Sequence, residues 1–160
     1  MITIRCETGD DVSVVGDTLA GATLAGLNLH RALLDGQQLQ GADLSFAELR
    51  SAWIESANLA QANLNRSNLA ACNGSRANFS GADLTEAMMR NGIFKEADFS
   101  GASLQNARVE GAVFSGANFN GTDLRCEGLA EADLSGALSN SETRWPLLFN
   151  PEQQGVIVTP

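Results

Sequence analysis

The residues able to do chemistry are few and scattered. There is one histidine, His30, and the cysteines Cys6, Cys72 and Cys126 stand far apart with no C-x-x-C pair. A zinc centre needs three or four ligands brought together, and a nucleophile needs a base beside it. Serines are plentiful, but none sits in a G-x-S-x-G elbow. The recurring G-x-x-x-x-G spacings lack the Lys and Ser/Thr of a phosphate loop. Neighbouring acids such as Glu96 and Asp98 have no partner set around them. The reading is that the chain has no catalytic, metal or cofactor-binding residues and is not an enzyme. An odd number of separated cysteines points to free thiols in a reducing cytoplasm. What remains is surface chemistry at a long spacing. Leu33, Trp53, Ile93 and Val113 fall on one 20-residue step, interrupted by Asn73, and Met88 holds a related position. Asp43, Asp83 and Asp123 fall on another step of 40, with Glu86 close by. Such spacings matter only if the fold stacks those residues.

The stretch "ANLAQANLNRSNLAACNGSRANFSGADL", Ala57 to Leu84, shows how it can. Every fifth residue is Leu or Phe except Gly74, and the pattern runs from Leu19 to Leu134. Ile54, Met89 and Val109 also fill this central slot. The slot two before it is mostly Ala, and the slot just before it is Asn or Asp throughout Ala57–Leu84. On an α-helix a five-residue step turns about 500°, which scatters the apolar residues around the cylinder. On a flat strand an odd step sends them to opposite faces. The chain must therefore bend once per block, so that each centre returns to one interior. That is a solenoid.

A second period gives the number of sides. Phe79, Phe99 and Phe119 are spaced by 20 residues, as are Gly81, Gly101 and Gly121. Four blocks therefore close one turn. The predicted fold is all-β: a right-handed, quadrilateral, parallel β-helix of about six four-sided coils, since parallel crossovers take the right hand. Coils about 4.8 Å apart give a rod of about 29 Å. A narrow coil has room for one large inward side chain per side, hence the small Ala slot. A buried charge at a centre, as in Leu64→Asp, should prevent folding.

The blocks "ANLAQ", "ANLNR", "SNLAA", "ANFSG", "ADLTE", "ADFSG" and "ANFNG" resemble the A(D/N)LXX unit of the pentapeptide-repeat family. The resemblance covers about residues 17–136 and implies the same right-handed quadrilateral β-helix. It also implies that one functional class is possible: a subgroup of that family mimics duplex DNA and binds type II topoisomerases. The tail "TRWPLLFNPEQQGVIV" is similar to a closing segment found after such repeats.

Three regions follow: a capping strand over 1–16, the repeat over 17–136, and a cap or tail over 137–160. "ITIRC" should pair as a first strand, with Val12, Val14 and Val15 leading into the first coil. That coil is irregular, with Asp17, Leu27 and Gln37 in slots that are normally Ala. Trp145, Pro146, Leu147, Leu148 and Phe149 form a lid, a two-fold contact with another copy, or a loose tail. Glu127 falls in an inward slot near the end and should escape to solvent. Gly74 marks either a bulge or room for a ring such as Phe79 or Phe94.

The outward slots carry the functional expectations. Net charge is −9, which argues against direct nucleic-acid binding. No apolar run is long enough to span a membrane, and "MITIRCETGDD" lacks the start of a signal peptide. The outward slots of the coils sum to only −4, against roughly 17 negative charges on an equal length of B-DNA. The acidic strip Asp43, Asp83, Asp123 and Glu86 is thus the alternative site, for a DNA-mimicking binder of type II topoisomerase (gyrase protection and quinolone resistance). The preferred site is the outward apolar strip Leu33, Trp53, Ile93 and Val113, with Met88. It either contacts a protein partner, as a homodimer or with another chain, or is covered by a terminus, or is simply exposed. The chain is accordingly read as a non-enzymatic, rigid interaction module.

Overall fold

A computed structural model describes all residues, 1–160. It contains no α-helix. Two short sheets close the ends, and between them the chain is held by single parallel bridges at a 20-residue step. Four ladders result. One runs Thr23, Asp43, Asn63, Asp83, Ser103, Asp123; the next runs Asn28, Glu48, Asn68, Met88, Arg108. The third runs Leu33, Trp53, Asn73, Ile93, Val113, Asp133, and the fourth Gln38, Asn58, Asn78, Asp98, Asn118, Leu138. The slot before each centre forms these bridges, so it faces outward while the centres and the Ala slots point in.

The core matches the five-residue pattern. Centres from Leu19 to Leu134 are buried, together with the inward-slot alanines from Ala32 to Ala137. Phe79, Phe99 and Phe119 stack in a column, with centroids 4.8 and 5.5 Å apart. Phe94 and Phe114 form a second column at 5.4 Å, edge-on to the first. Offset stacking and edge-on contacts are the favoured ring geometries. Gly74 makes room for Phe94: a β-carbon there would lie 2.9 Å from Cδ1 of that ring. There is no bulge, because Asn73 keeps its bridges to Trp53 and Ile93. Gly92 flanks the same ring from the other side, where a β-carbon would lie 2.5 Å from Cε2.

Each corner is a four-residue turn closed by a backbone bond such as Ala62 N–H to Leu59 C=O at 3.0 Å. From Gly21 to Gly121 the third residue of each turn has a positive φ. Glycine takes this place at Gly41, Gly81 and Gly101, but Gln61, Ala71 and Glu96 take it too, at φ 55–57°. Left-handed backbone is costly for a residue with a β-carbon, so stacking must hold these corners.

The ends differ from the sequence expectation in three places. At the start, β1 (Ile2–Ile4) pairs antiparallel with β2 (Val12–Val14) as a hairpin, rather than leading straight into the coil. Ile4 and Val14 cover the open end, Val15 is exposed, and Cys6 bridges Ala32 antiparallel. Near the far end the chain skips one residue, so Glu127, not Gly128, bridges Arg108. Glu127 therefore occupies an outward position, with Cys126 half-buried behind it. The five-residue phase also continues beyond Leu134, to buried Ser139. After one extra residue Arg144 bridges Asp123, and β4 (Ile157–Val158) lies parallel on β3 (Leu138–Ser139). Trp145 and Phe149 stack at 5.2 Å and pack against the core as a lid. Leu147 and Leu148 do not join it; they are 93% and 95% exposed.

Candidate functional site

The outward slot has a structural duty that explains its usual residue. In Asn58, Asn63, Asn68, Asp83, Asp98 and Asn118 the side-chain Oδ1 accepts the amide two residues on, at 2.9–3.2 Å. These are the local turns that Asn and Asp favour. Several asparagines also donate to the side chain one coil away, as Asn63 does to Asp43 at 3.1 Å and Asn118 to Asp98 at 3.1 Å. An apolar residue in this slot gives up both bonds.

Leu33, Trp53, Ile93, Val113 and Met88 do so. Leu33, Trp53 and Ile93 are 43%, 41% and 41% exposed, Met88 is exposed, and Val113 is half-buried. The first four lie in one ladder with Asn73 at its middle; Met88 lies in the adjoining ladder, between Asn68 and Arg108. Neither terminus covers them. The N-terminal segment touches only the edge, where the Leu33 amide donates to the Arg5 carbonyl at 2.8 Å. A shallow groove runs beside the ladder, lined by Arg50, Ala71, Asn73 and Ile93 with Trp53 as one wall. At its end Arg31 pairs with Glu7 at 2.9 Å. The groove was not legible in the sequence, because it depends on small corner residues such as Ala71 lying next to tall ladder residues.

The acidic set lies elsewhere and is occupied. Asp43, Asp83 and Asp123 share one ladder, separated by Asn63 and Ser103. Asp43 accepts from the Ser45 amide and from Asn63, and the Ser45 hydroxyl first, then its amide and Asn63, hold the carboxyl below the usual range. Asp123 is gripped by Arg125 at 2.6 and 2.9 Å and by Gln105 at 2.9 Å. Arg125 contributes most to lowering its pKa to about 2. Glu86 is paired with Arg66 at 2.8 Å, which lowers its pKa. These carboxylates work within the chain, as turn acceptors and ion-pair partners.

The chemistry-bearing residues are also dispersed. Cys6 and Cys72 are buried, and burial raises both thiols. Cys126 is pushed up to about 12, chiefly by burial. His30 sits at the groove's rim. No three His, Cys, Asp or Glu side chains gather as a metal site, and no helix is long and apolar enough to cross a membrane.

A repeating strand solenoid with a packed interior and its distinctive residues on an outer ladder is a scaffold class: what it can recognise, it recognises with its faces. The chain belongs to the pentapeptide repeat family: the family model, described as pentapeptide repeats (8 copies), matches residues 19–52, 55–91 and 93–125. The crystal structure of Rfr23, a pentapeptide repeat protein of the cyanobacterium Cyanothece 51142, is similar at 33% identity and a TM-score of 0.57. That match covers 59% of this chain and 64% of the Rfr23 chain. A pentapeptide repeat protein of Nostoc PCC 7120 is similar at 25% identity and a TM-score of 0.61, over 64% of this chain and 84% of that one. One from the thylakoid lumen of Arabidopsis thaliana is similar at 34% identity and a TM-score of 0.50, over 57% and 67% of the two chains. No curated protein matches the chain in sequence.

Proposed function

We propose that this chain is a non-enzymatic protein-interaction module, a stiff right-handed β-helix of six four-sided coils that offers a strand face to a protein partner or to a second copy of itself. One observation carries the reading. At Leu33, Trp53, Ile93 and Val113 the chain replaces the turn-capping Asn with apolar residues that stack in register and remain uncovered. Exposed apolar surface of this kind, in two stacked pairs either side of Asn73, marks interaction sites, and tryptophan is a favoured anchor. The right hand follows the rule for parallel crossovers. The interior is filled by the chain's own side chains, and the carboxylates of Asp43, Asp83, Glu86, Glu110 and Asp123 are engaged in turns and ion pairs, which supports binding rather than catalysis. Unpaired thiols suit a reducing compartment such as the cytoplasm.

The test is a pull-down from the native host with wild type and with Trp53→Lys, each checked for fold by circular dichroism. The variant should stay folded and lose its partner or its self-association. Unchanged association would sink the proposal. In a gyrase supercoiling assay with quinolone the module should give no protection; protection would favour the acidic ladder instead.

A further inference from the structure

We infer that the partner of the apolar ladder is a second copy of this chain, laid antiparallel about a two-fold axis that crosses the face at Asn73. This rests on the interaction-module reading and gives it an occupant. The ladder is symmetric in character about its middle rung. One coil away on either side stand Trp53 and Ile93; two coils away stand Leu33 and Val113. Turning the rod end over end about Asn73 sets each Trp53 on the other copy's Ile93 and each Leu33 on the other's Val113. Asn73 meets Asn73, and this polar rung is already satisfied within its own chain, since Oδ1 accepts from the Ser75 amide and hydroxyl and Nδ2 donates to Glu55. A slip of one coil loses this match: in one direction it seats Leu33 on Asp133 and Asn73 on Ile93, and in the other Asn73 on Trp53.

The charges beside the ladder point to the same register. Glu55 and Lys95 occupy equivalent corner positions one coil either side of Asn73, so the antiparallel arrangement sets each Glu55 opposite the other copy's Lys95. Lys95 is exposed and makes no ion pair within its own chain. Arg76, nearest the axis, is turned onto Glu55 of its own chain. Each Glu55 would then lie between two cations. A parallel arrangement lacks this match: it brings Lys95 toward Arg90 and seats Asp133 on Asp133. From Leu33 to Val113 the ladder spans about 19 Å, at about 4.8 Å per coil. That places the contact at the small end of interface sizes, so the dimer should be weak and exchangeable, with Kd on the order of 10–100 µM.

Sedimentation equilibrium of the full chain, from about 1 to 500 µM to bracket that range, tests this. The mass should rise from the 16.8 kDa of one chain toward twice that value. Trp53→Lys should weaken association at least ~100-fold, as loss of a central anchor does. Lys95→Glu should weaken it about 10-fold, and the charge-swapped Glu55→Lys/Lys95→Glu variant should recover to within about 3-fold of wild type. Circular dichroism confirms that each variant is folded. A swap as weak as the single change overturns the register. A dimer that survives Trp53→Lys but is lost in Leu147→Asp places the contact at the C-terminal end and overturns the proposal. A wild type that stays at one chain's mass also overturns it. If Trp53→Lys then still abolishes capture of a host protein, self-pairing falls while the module reading stands; if it changes neither, both fall.

Discussion

Filling Gly74 should weaken the protein, although the repeat itself calls for a large apolar residue there. A β-carbon at that position lies 2.9 Å from Cδ1 and 3.1 Å from Cε1 of Phe94. The ring has nowhere to retreat. It meets Phe79 and Phe99 edge-on at 5.9 and 5.8 Å, stacks on Phe114 at 5.4 Å, and is flanked by Gly92 on its other side. Overpacking of this kind costs about 1–3 kcal/mol. Against it stands the entropy that alanine removes from the unfolded chain, about 0.4–1 kcal/mol. Gly74→Ala should therefore lose about 1–2 kcal/mol, or about 3–6 °C in Tm for a chain of this size. Gly74→Leu, which restores the repeat, should lose more. Thermal unfolding followed by circular dichroism measures both. The double variant Gly74→Ala/Phe94→Leu supplies the control, because removing the ring should abolish the alanine penalty and give a coupling of about 1–2 kcal/mol. A Gly74→Ala protein as stable as wild type, or a penalty that persists without the Phe94 ring, would refute the packing account.

Two further predictions concern the corners and the ion pairs. Ala71 and Gly41 both sit at left-handed corners, with φ of 55° and 65°, and a β-carbon on Gly41 would meet nothing within 4 Å. Backbone strain alone therefore separates them: Ala71→Gly should raise stability and Gly41→Ala should lower it, each by about 0.5–1 kcal/mol, as read by urea unfolding. Equal signs for the two changes would contradict this. Asp123, held at about 2 from an ordinary 3.8 chiefly by Arg125, stabilises the fold wherever it is ionised. Because its folded pKa is depressed, that contribution is complete above about pH 4 and is lost as the pH falls through 2. Asp123→Asn should melt below wild type at neutral pH, and the gap should close across that acid window in a Tm-against-pH series. A gap independent of pH would assign the loss to hydrogen bonding instead.

Much of this molecule could be read from spacing. A five-residue apolar period excludes both helix and flat strand, and the 20-residue recurrence of Phe79, Phe99 and Phe119 stacks one coil on the next. The inward residues and the alignment of Leu33, Trp53, Ile93 and Val113 follow, because a regular coil turns sequence separation directly into position. The spacing also indicated that Asp43, Asp83 and Asp123 share a face. It did not show that their oxygens serve Ser45, Thr85 and Arg125, since a carboxylate in a turn and one offered to solvent look alike in a string of letters.

The details that spacing left open lie where neighbours from different coils meet. The place of Glu127 turned on a skipped residue, which the sequence shows as an unremarkable "RCEGL". The sorting of the tail into a stacked Trp145–Phe149 lid and an outward Leu147–Leu148 pair depended on how the last coil ends. The choice between bulge and accommodation at Gly74 was decided by a ring 20 residues further on, Phe94. Local period is a property of one chain segment and is written into it. Fit is a property of two surfaces, and it exists only once the coils have closed on each other.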